Sequence, residues 1–180
     1  MLRVVAVGAV ISPVGIAGCG GADGDSEPAT FARDNFPFTF EYPEEFEFTE
    51  DVSAEQQLGG DAADEVVAIA MDEDNGLIIE RHTLNTEFSQ ADMGLVKRQL
   101  DGLIQQLDPD ADGEEGNLAG FPSLTYAAVP MPGLNDGESR FIVLFEGDQE
   151  YIINCQSTPD GREEIEQACD RAIDTLARRA

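Results

Sequence analysis

The segment Phe-Ile-Val-Leu-Phe, at residues 141–145, is apolar at every position. Because side chains alternate between the two faces of a strand, a strand with this sequence is apolar on both faces. Such a strand lies inside a sheet that has other layers on both sides. The sequence therefore predicts a sheet that is covered twice, and the rest of the chain must supply the two layers.

Segments with period-two alternation predict the other strands of this sheet. Four aromatic residues alternate with other residues near one end of the domain, and turn residues such as Gly147-Asp148 predict hairpins. The aromatic residues are expected in the core or, alternatively, at the floor of an apolar pocket. We expect a largely antiparallel sheet of about six to seven strands. The aromatic residues are Phe36, Phe38, Phe40 and Tyr42, and the other strands are expected near 46–48, 66–71, 77–83, 122–129, 140–146 and 150–155.

Two amphipathic helices are predicted to cover the sheet. The first begins at Ser89, a favoured N-cap residue, with Asp92 three residues later, and it ends at Asp108-Pro109. Apolar residues recur along it at spacings of three and four. With the second helix near the end of the chain, the order is β-β-β-β-α-β-β-β-α. The expected class is α+β, arranged as an α/β/α sandwich.

The start of the chain has the features of an export signal. Arg3 is followed by a mostly apolar, uncharged run that is shorter than the ~20 residues of a membrane-spanning helix. Ile16-Ala17-Gly18-Cys19 resembles the lipobox of bacterial lipoproteins. The resemblance implies a diacylglyceryl group on the Cys19 sulfur, cleavage before Cys19, and acylation of the new amino end, with palmitate for example. The alternative is an ordinary signal peptide with an incidental cysteine.

These features divide the chain into three parts. Residues 1–18 are interpreted as a lipoprotein signal peptide. Residues 19–34, which begin with small and polar side chains, are interpreted as a lipidated, flexible tether. Residues 35–180 are expected to form a single domain.

The other two cysteines predict a disulfide in an exported domain. Cys155 lies at the end of a predicted strand, and Cys169 lies on the apolar stripe of the second helix. This helix is expected to begin with Thr158 as its N-cap and to carry Arg178 and Arg179 at its C-terminal end. Two buried free thiols are the alternative. A catalytic cysteine is disfavoured because neither position has a nearby histidine or basic cluster.

An acidic segment after the first helix has part of the pattern of a calcium-binding loop. Oxygen-bearing side chains alternate along it, and Gly113 supplies a bend. The pattern then fails, because Ala119 stands where a bidentate glutamate is required. The alternative is a loop whose charges are simply solvated. The candidate ligands are Asp108, Asp110, Asp112 and Glu114.

The net charge of −27 excludes nucleic acid as a partner, since nucleic-acid binding requires a basic surface. The single histidine, His82, excludes a metal site built on several histidines, and its place in a strand favours a structural or surface role. No serine lies in a G-x-S-x-G motif. The sequence therefore assigns no catalytic residue and no cofactor, apart from calcium in the alternative above.

A family resemblance rests on the order of these elements. The domain opens with an F-x-F-x-Y-P-x-x-F segment that includes Phe38, Tyr42 and Phe46, and a strand follows Gly120-Phe121-Pro122. A last apolar strand runs into a C-terminal helix. Over residues 35–178 this arrangement resembles the PsbP/LpqN type of domain. The resemblance implies an α/β/α sandwich and a binding or accessory role, with no shared catalytic residues.

Together these observations predict a non-enzymatic, monomeric lipoprotein on the extracytoplasmic face of a bacterial membrane. A lipid anchor would hold it there, and its partner would be an envelope protein or a small apolar or glycolipid ligand. The alternative function is a calcium-binding envelope module that uses the acidic loop at 108–115.

Overall fold

The computed structural model describes residues 27–50 and 63–179. The main sheet has seven antiparallel strands in the order β3-β4-β5-β9-β8-β7-β6. A smaller sheet has the order β1-β2-β10. The strands are β1 (Ala29–Ala32), β2 (Phe38–Tyr42), β3 (Glu47–Glu50), β4 (Glu65–Ala70), β5 (Gly76–Thr83), β6 (Glu114–Leu118), β7 (Phe121–Pro130), β8 (Glu138–Glu146), β9 (Gln149–Ser157) and β10 (Ala177–Arg178). The α-helices are α1 (Met93–Ile104) and α2 (Arg162–Thr175).

The main sheet is covered on both faces, as the apolar segment in β8 predicts. Ile142 and Leu144 point to a core shared with α2 and the small sheet. Phe141, Val143 and Phe145 point to a second core, on the side of α1. The predicted α+β class is confirmed by this two-core arrangement.

The first core joins the small sheet, α2 and one face of the main sheet. The four alternating aromatic residues lie here, so they are core residues and not a pocket floor. Three of them are almost fully buried and contact one another and Phe31 in stacked and edge-to-face arrangements. These three are Phe36, Phe38 and Phe40.

The predicted tether over 19–34 is wrong at its last residues, because β1 belongs to the folded domain. This strand pairs with β2 in antiparallel register, with Phe31 opposite Phe40. The Phe31 ring is buried and stacks on Phe40 with ring centroids 4.7 Å apart. Because β1 contains only one large apolar residue, its sequence shows no alternation of apolar and polar residues from which a strand could be predicted. The strand forms because it pairs with the edge of β2.

The second helix begins later than predicted, and Thr158 is not its N-cap. The Thr158 amide and hydroxyl both donate hydrogen bonds to Asn75 Oδ1, at 2.7 and 3.1 Å, and Gly161 occupies the N-cap position. The helix ends at Thr175, so Arg178 does not lie at its C-terminus. Arg178 instead lies in β10, opposite Phe38 of β2.

The predicted disulfide is present in the structure. It joins Cys155 in β9 to Cys169 in α2, with the two Cα atoms 6.0 Å apart. It fastens α2 to the central strand of the main sheet. Cys19 and the predicted signal peptide lie outside the described residues, as do residues 51–62. Within the described ranges, no helix has the length and hydropathy needed to cross a membrane.

Candidate functional site

A cleft separates α1 from the main sheet. The fully buried residues of this helix are Met93 at its start and Ile104 at its end. Between them, Val96 and Leu100 are only half-buried, and Leu103 is 50% exposed. The middle of the helix therefore packs only partly against the sheet, and a cavity of about 650 Å³ lies between the sheet and the part of the chain from Val96 to Leu107.

The walls of this cleft are mainly apolar. The sheet contributes side chains from β7, β8 and β9, and α1 contributes the opposite wall. The volume lies within the range of ~300–1,000 Å³ that is common for small-molecule sites. The main apolar lining residues are Val96, Leu100, Phe141, Val143, Phe145 and Ile152.

The start of the first helical segment follows the predicted cap. Both the backbone N–H and the hydroxyl of Ser89 donate hydrogen bonds to Asp92 Oδ2, at 3.1 and 2.5 Å. A short 3₁₀ turn, Gln90–Asp92, leads into α1. The predicted capping box is therefore present at the start of the segment that leads into α1.

The far end of α1 is fixed by the Asp101 carboxylate. Its Oδ1 accepts hydrogen bonds from the Tyr126 hydroxyl at 2.8 Å and from the Gly113 amide at 3.0 Å. Its Oδ2 accepts one from Lys97 Nζ at 2.8 Å. Burial opposes ionisation of Asp101, but these hydrogen bonds outweigh it and keep the pKa of the carboxyl below its ordinary value. Burial, with the hydrogen bond to Asp101, raises the pKa of Tyr126.

One end of the cleft is polar. His82 of β5 lies opposite Glu150 of β9, and Glu80 lies opposite Ile152. Because paired residues in antiparallel strands project on the same face, these four side chains are neighbours on the α1 side of the sheet. His82, Glu150 and Ile152 line the cleft, and Glu80 lies directly beside them.

Glu80 is a fully buried carboxylate with one unsatisfied oxygen. Its Oε2 lies 3.0 Å from His82 Nε2, and its Oε1 has no hydrogen-bond partner. The hydrogen bond to Glu80 raises the pKa of His82, and burial opposes this effect. The charges of Glu80, Glu150 and Asp64 favour the protonated imidazole further.

Glu150 carries the second carboxyl group of this polar end. Burial raises its pKa, the charge of Glu80 adds to the rise, and His82 opposes it. Nearby, the Thr83 hydroxyl donates a hydrogen bond to Asp64 Oδ2 at 2.7 Å, and this contact is the main reason that the pKa of Asp64 is lowered. The polar end therefore has more acidic than basic groups.

Of the four acidic residues predicted as calcium ligands, Asp108 and Asp112 have other contacts, Glu114 lies in a strand, and Asp110 is exposed in the loop. Asp108 Oδ1 accepts a hydrogen bond from the Asp110 amide at 3.1 Å, and Asp112 pairs with Lys97. Glu114 is the first residue of β6, an edge strand that occupies part of the predicted loop. In the part of the chain that the structure describes, no group of three or more His, Cys, Asp or Glu side chains is arranged to hold a metal ion. Calcium binding by this loop stays a prediction.

The sequence interpretation missed Glu80 and Glu150 as site residues. Both resemble the many acidic residues that face solvent in this chain. A signal was present for Glu80, because it follows Leu77, Ile78 and Ile79 in a strand that pairs on both sides. A charged residue on a covered strand requires a partner or a function.

Comparison with solved structures identifies the class of fold. The solution structure of cyanobacterial PsbP (CyanoP) from Synechocystis sp. PCC 6803 matches with a TM-score of 0.56 at 13% identity, covering 91% of this chain and 98% of that chain. The fold is therefore PsbP-like, as the sequence resemblance implies. LpqN of Mycobacterium tuberculosis, described as involved in cell envelope biogenesis, matches with a TM-score of 0.47 at 12% identity, over 85% of this chain and 92% of that chain. No protein-family model and no curated protein matches the sequence.

Proposed function

We propose that this chain is a lipid-anchored accessory lipoprotein of the bacterial cell envelope that binds a small, largely apolar ligand. The observation that carries the proposal is the apolar cleft of about 650 Å³ between α1 and the main sheet. A filled helix–sheet interface would leave only external surfaces for partner binding. The cleft supports a small ligand over a protein partner.

The role is binding and not catalysis. The described lining of the cleft places neither serine nor cysteine beside His82 as a nucleophile. The polar groups at its end are those that orient a ligand, since specificity in apolar pockets comes from a few polar side chains.

Native mass spectrometry of the protein purified from the membranes of producing cells tests the binding role. We expect a non-covalent ligand mass on the wild-type protein that disappears on denaturation. Leu100→Trp should fill the cleft and remove the ligand. Leu95→Trp is the matched control, because Leu95 lies on the same helix, is 51% exposed and does not line the cleft. Absence of a bound mass, or equal loss in both variants, contradicts the proposal.

The lipid anchor has a separate test. Two or more acyl chains hold a protein stably on a membrane, since each buried CH₂ contributes ~0.8 kcal/mol. Cys19→Ser should move the protein from the membrane fraction to the soluble fraction. A Cys19→Ser protein that stays with the membrane would rule out anchoring through this residue.

A further inference from the structure

We propose that the ligand of the cleft is an amphiphile with a cationic, primary-ammonium head group. Its apolar chain would lie between α1 and β8, and its head group would pair with Glu80 and Glu150 at the polar end. This inference rests on the proposed function and specifies the ligand class for the same cleft.

The first observation is the unsatisfied oxygen of Glu80. The Glu80 side chain is 1% exposed, and Oε1 has no hydrogen-bond partner, although Oε2 is bound to His82. A buried carboxylate oxygen without a donor is costly to maintain. Glu80 is not itself a lining residue, but its strand partner Ile152 and its hydrogen-bond partner His82 both line the cleft, so Glu80 lies directly behind the cavity wall. A donor on a bound ligand would satisfy this oxygen.

The second observation is the charge balance around this end. Glu80, Glu150 and Asp64 are acidic, and His82 is the basic group among the lining residues. Arg81 is not among the lining residues, but its guanidinium lies 4.0 Å from Asp64 Oδ2 and 3.8 Å from Glu65 Oε2 and so compensates Asp64. With Glu80 paired to His82, Glu150 is the lining carboxyl group that has no ion-pair partner of its own, beside an apolar cavity. A ligand cation is the group that compensates such a carboxyl group.

The geometry disfavours other occupants of this end. A metal ion is not supported, since no described cluster has the arrangement of ligands it needs. An anionic head group would meet the carboxyl groups and the net charge of −27. An ammonium group supplies three N–H donors and a positive charge. An ammonium group would therefore supply both the hydrogen-bond donor that Glu80 Oε1 lacks and a positive charge beside the carboxyl groups.

The test compares three ligands with the same chain: octylammonium, octanol and octanoate. Their affinities are measured by isothermal titration calorimetry at constant ionic strength. The protein is the full chain with its disulfide and with Cys19→Ser, so that no acyl chain of its own can enter the cleft. We expect octylammonium to bind roughly tenfold more tightly than octanol, the ratio that one charge-assisted hydrogen bond supplies, and octanoate to bind most weakly.

Two variants and a control test which residues cause the preference for octylammonium over octanol. Glu150→Gln and Glu80→Gln should each reduce the preference for octylammonium over octanol. Glu44→Gln removes an exposed carboxylate in the turn between β2 and β3 and should leave the preference unchanged. If Glu80→Gln fails to fold, the half-buried Glu150 still provides the test.

The outcomes separate this inference from the proposed function. Equal binding of all three ligands overturns the cationic head group and leaves the apolar cleft site intact. No binding of any of them contradicts the proposed function itself. An equal loss in Glu44→Gln and Glu150→Gln would show that the overall charge attracts octylammonium, and this result also overturns the inference.

Discussion

At residue 80 the chain places a carboxylate at the end of a run of buried residues in β5. Leu77, Ile78 and Ile79 are buried, and Glu80 is buried with them. Its charge is tolerated because His82, two residues along the same strand face, gives it a hydrogen bond at 3.0 Å. The same hydrogen bond favours the protonated form of the His82 imidazole and raises its pKa.

The Glu80–His82 contact predicts a pH dependence of stability. The pKa of folded His82 is raised above its ordinary 6.5, first by the hydrogen bond to Glu80. Protonation of His82 therefore contributes stability that is fully present below about pH 6.5 and is lost as pH rises through the folded pKa. Glu80→Gln should lower the pKa of His82 and reduce this loss.

Nuclear magnetic resonance titration of the single histidine, with urea unfolding at several pH values, measures both effects. Glu44→Gln should behave as the wild type, because its carboxylate is exposed and lies in a different turn. An unchanged His82 pKa in Glu80→Gln would mean that the hydrogen bond does not control the imidazole.

The periodic spacing of apolar residues in the sequence predicted the strands and helices that form the core. The hairpin from β8 to β9, the capped start at Ser89 and the two covering helices all follow from patterns of apolar residues and turn residues. The strands β1 and β6 were not predicted, since β1 has one large apolar residue and β6 is polar and mostly exposed. Each is a strand because a neighbouring strand pairs with it.

The cleft itself could not be predicted from the sequence. The apolar stripe of α1 predicts a helix that packs on a sheet, and the full burial of only Met93 and Ile104 along it arises from the tertiary arrangement. The proximity of Glu80 and Glu150 could not be predicted from the sequence either, because it depends on the pairing of β5 with β9. The disulfide was predictable because the cysteines lie in two recognisable elements.

Loss of the disulfide between β9 and α2 should destabilise the fold. The bond closes a loop with a sequence separation of 14. In the chain-entropy model a loop of about 15 residues contributes ~3 kcal/mol. A Cys155→Ala, Cys169→Ala double variant should show a decrease of this size in the free energy of unfolding by urea. Cys19→Ser should not, and equal stability of the double variant and the wild type would contradict this role.

The hydrogen bonds of Asp101 in α1 to Tyr126 and Gly113 should also contribute measurably to stability. Asp101→Ala removes the acceptor of the Tyr126 hydroxyl and of the Gly113 amide. Leaving these donors unsatisfied should cost about 1–3 kcal/mol in urea unfolding. Asp110→Ala is the control, since the Asp110 side chain is exposed, and its effect should be within about 0.5 kcal/mol. Equal effects of the two substitutions would mean that Asp101 does not fasten the helix.

At the scale of the whole molecule, the acidic composition belongs mainly to the surface. Among the residues that the structure describes, most acidic ones are exposed or half-exposed, and several pair with arginines, as Asp170 does with Arg140 at 2.6 Å. Within those residues, Glu80 is the acidic side chain that is fully buried. The net charge of −27 therefore describes the solvent-facing surface, and the carboxyl groups beside the cleft are a separate, local feature.

The calcium alternative has a direct test. A ligand that binds only the native state raises its stability by RT ln(1 + [L]/Kd). Because Asp112 is paired with Lys97 and Glu114 lies in β6, we expect calcium and magnesium to change the melting temperature equally, through screening alone. A rise specific to calcium, lost in Asp110→Ala, would support the calcium-binding module instead.

Methyl resonances of the protein, followed during titration with octylammonium, test whether the cleft beneath α1 is a ligand site. We expect shifts at Val96, Leu100, Val143 and Ile152, which line the cleft, and none at Leu77 or Ile142 in the opposite core. Shifts confined to the opposite core or to the outer surface, or no shifts at saturating ligand, would contradict a ligand site in the cleft.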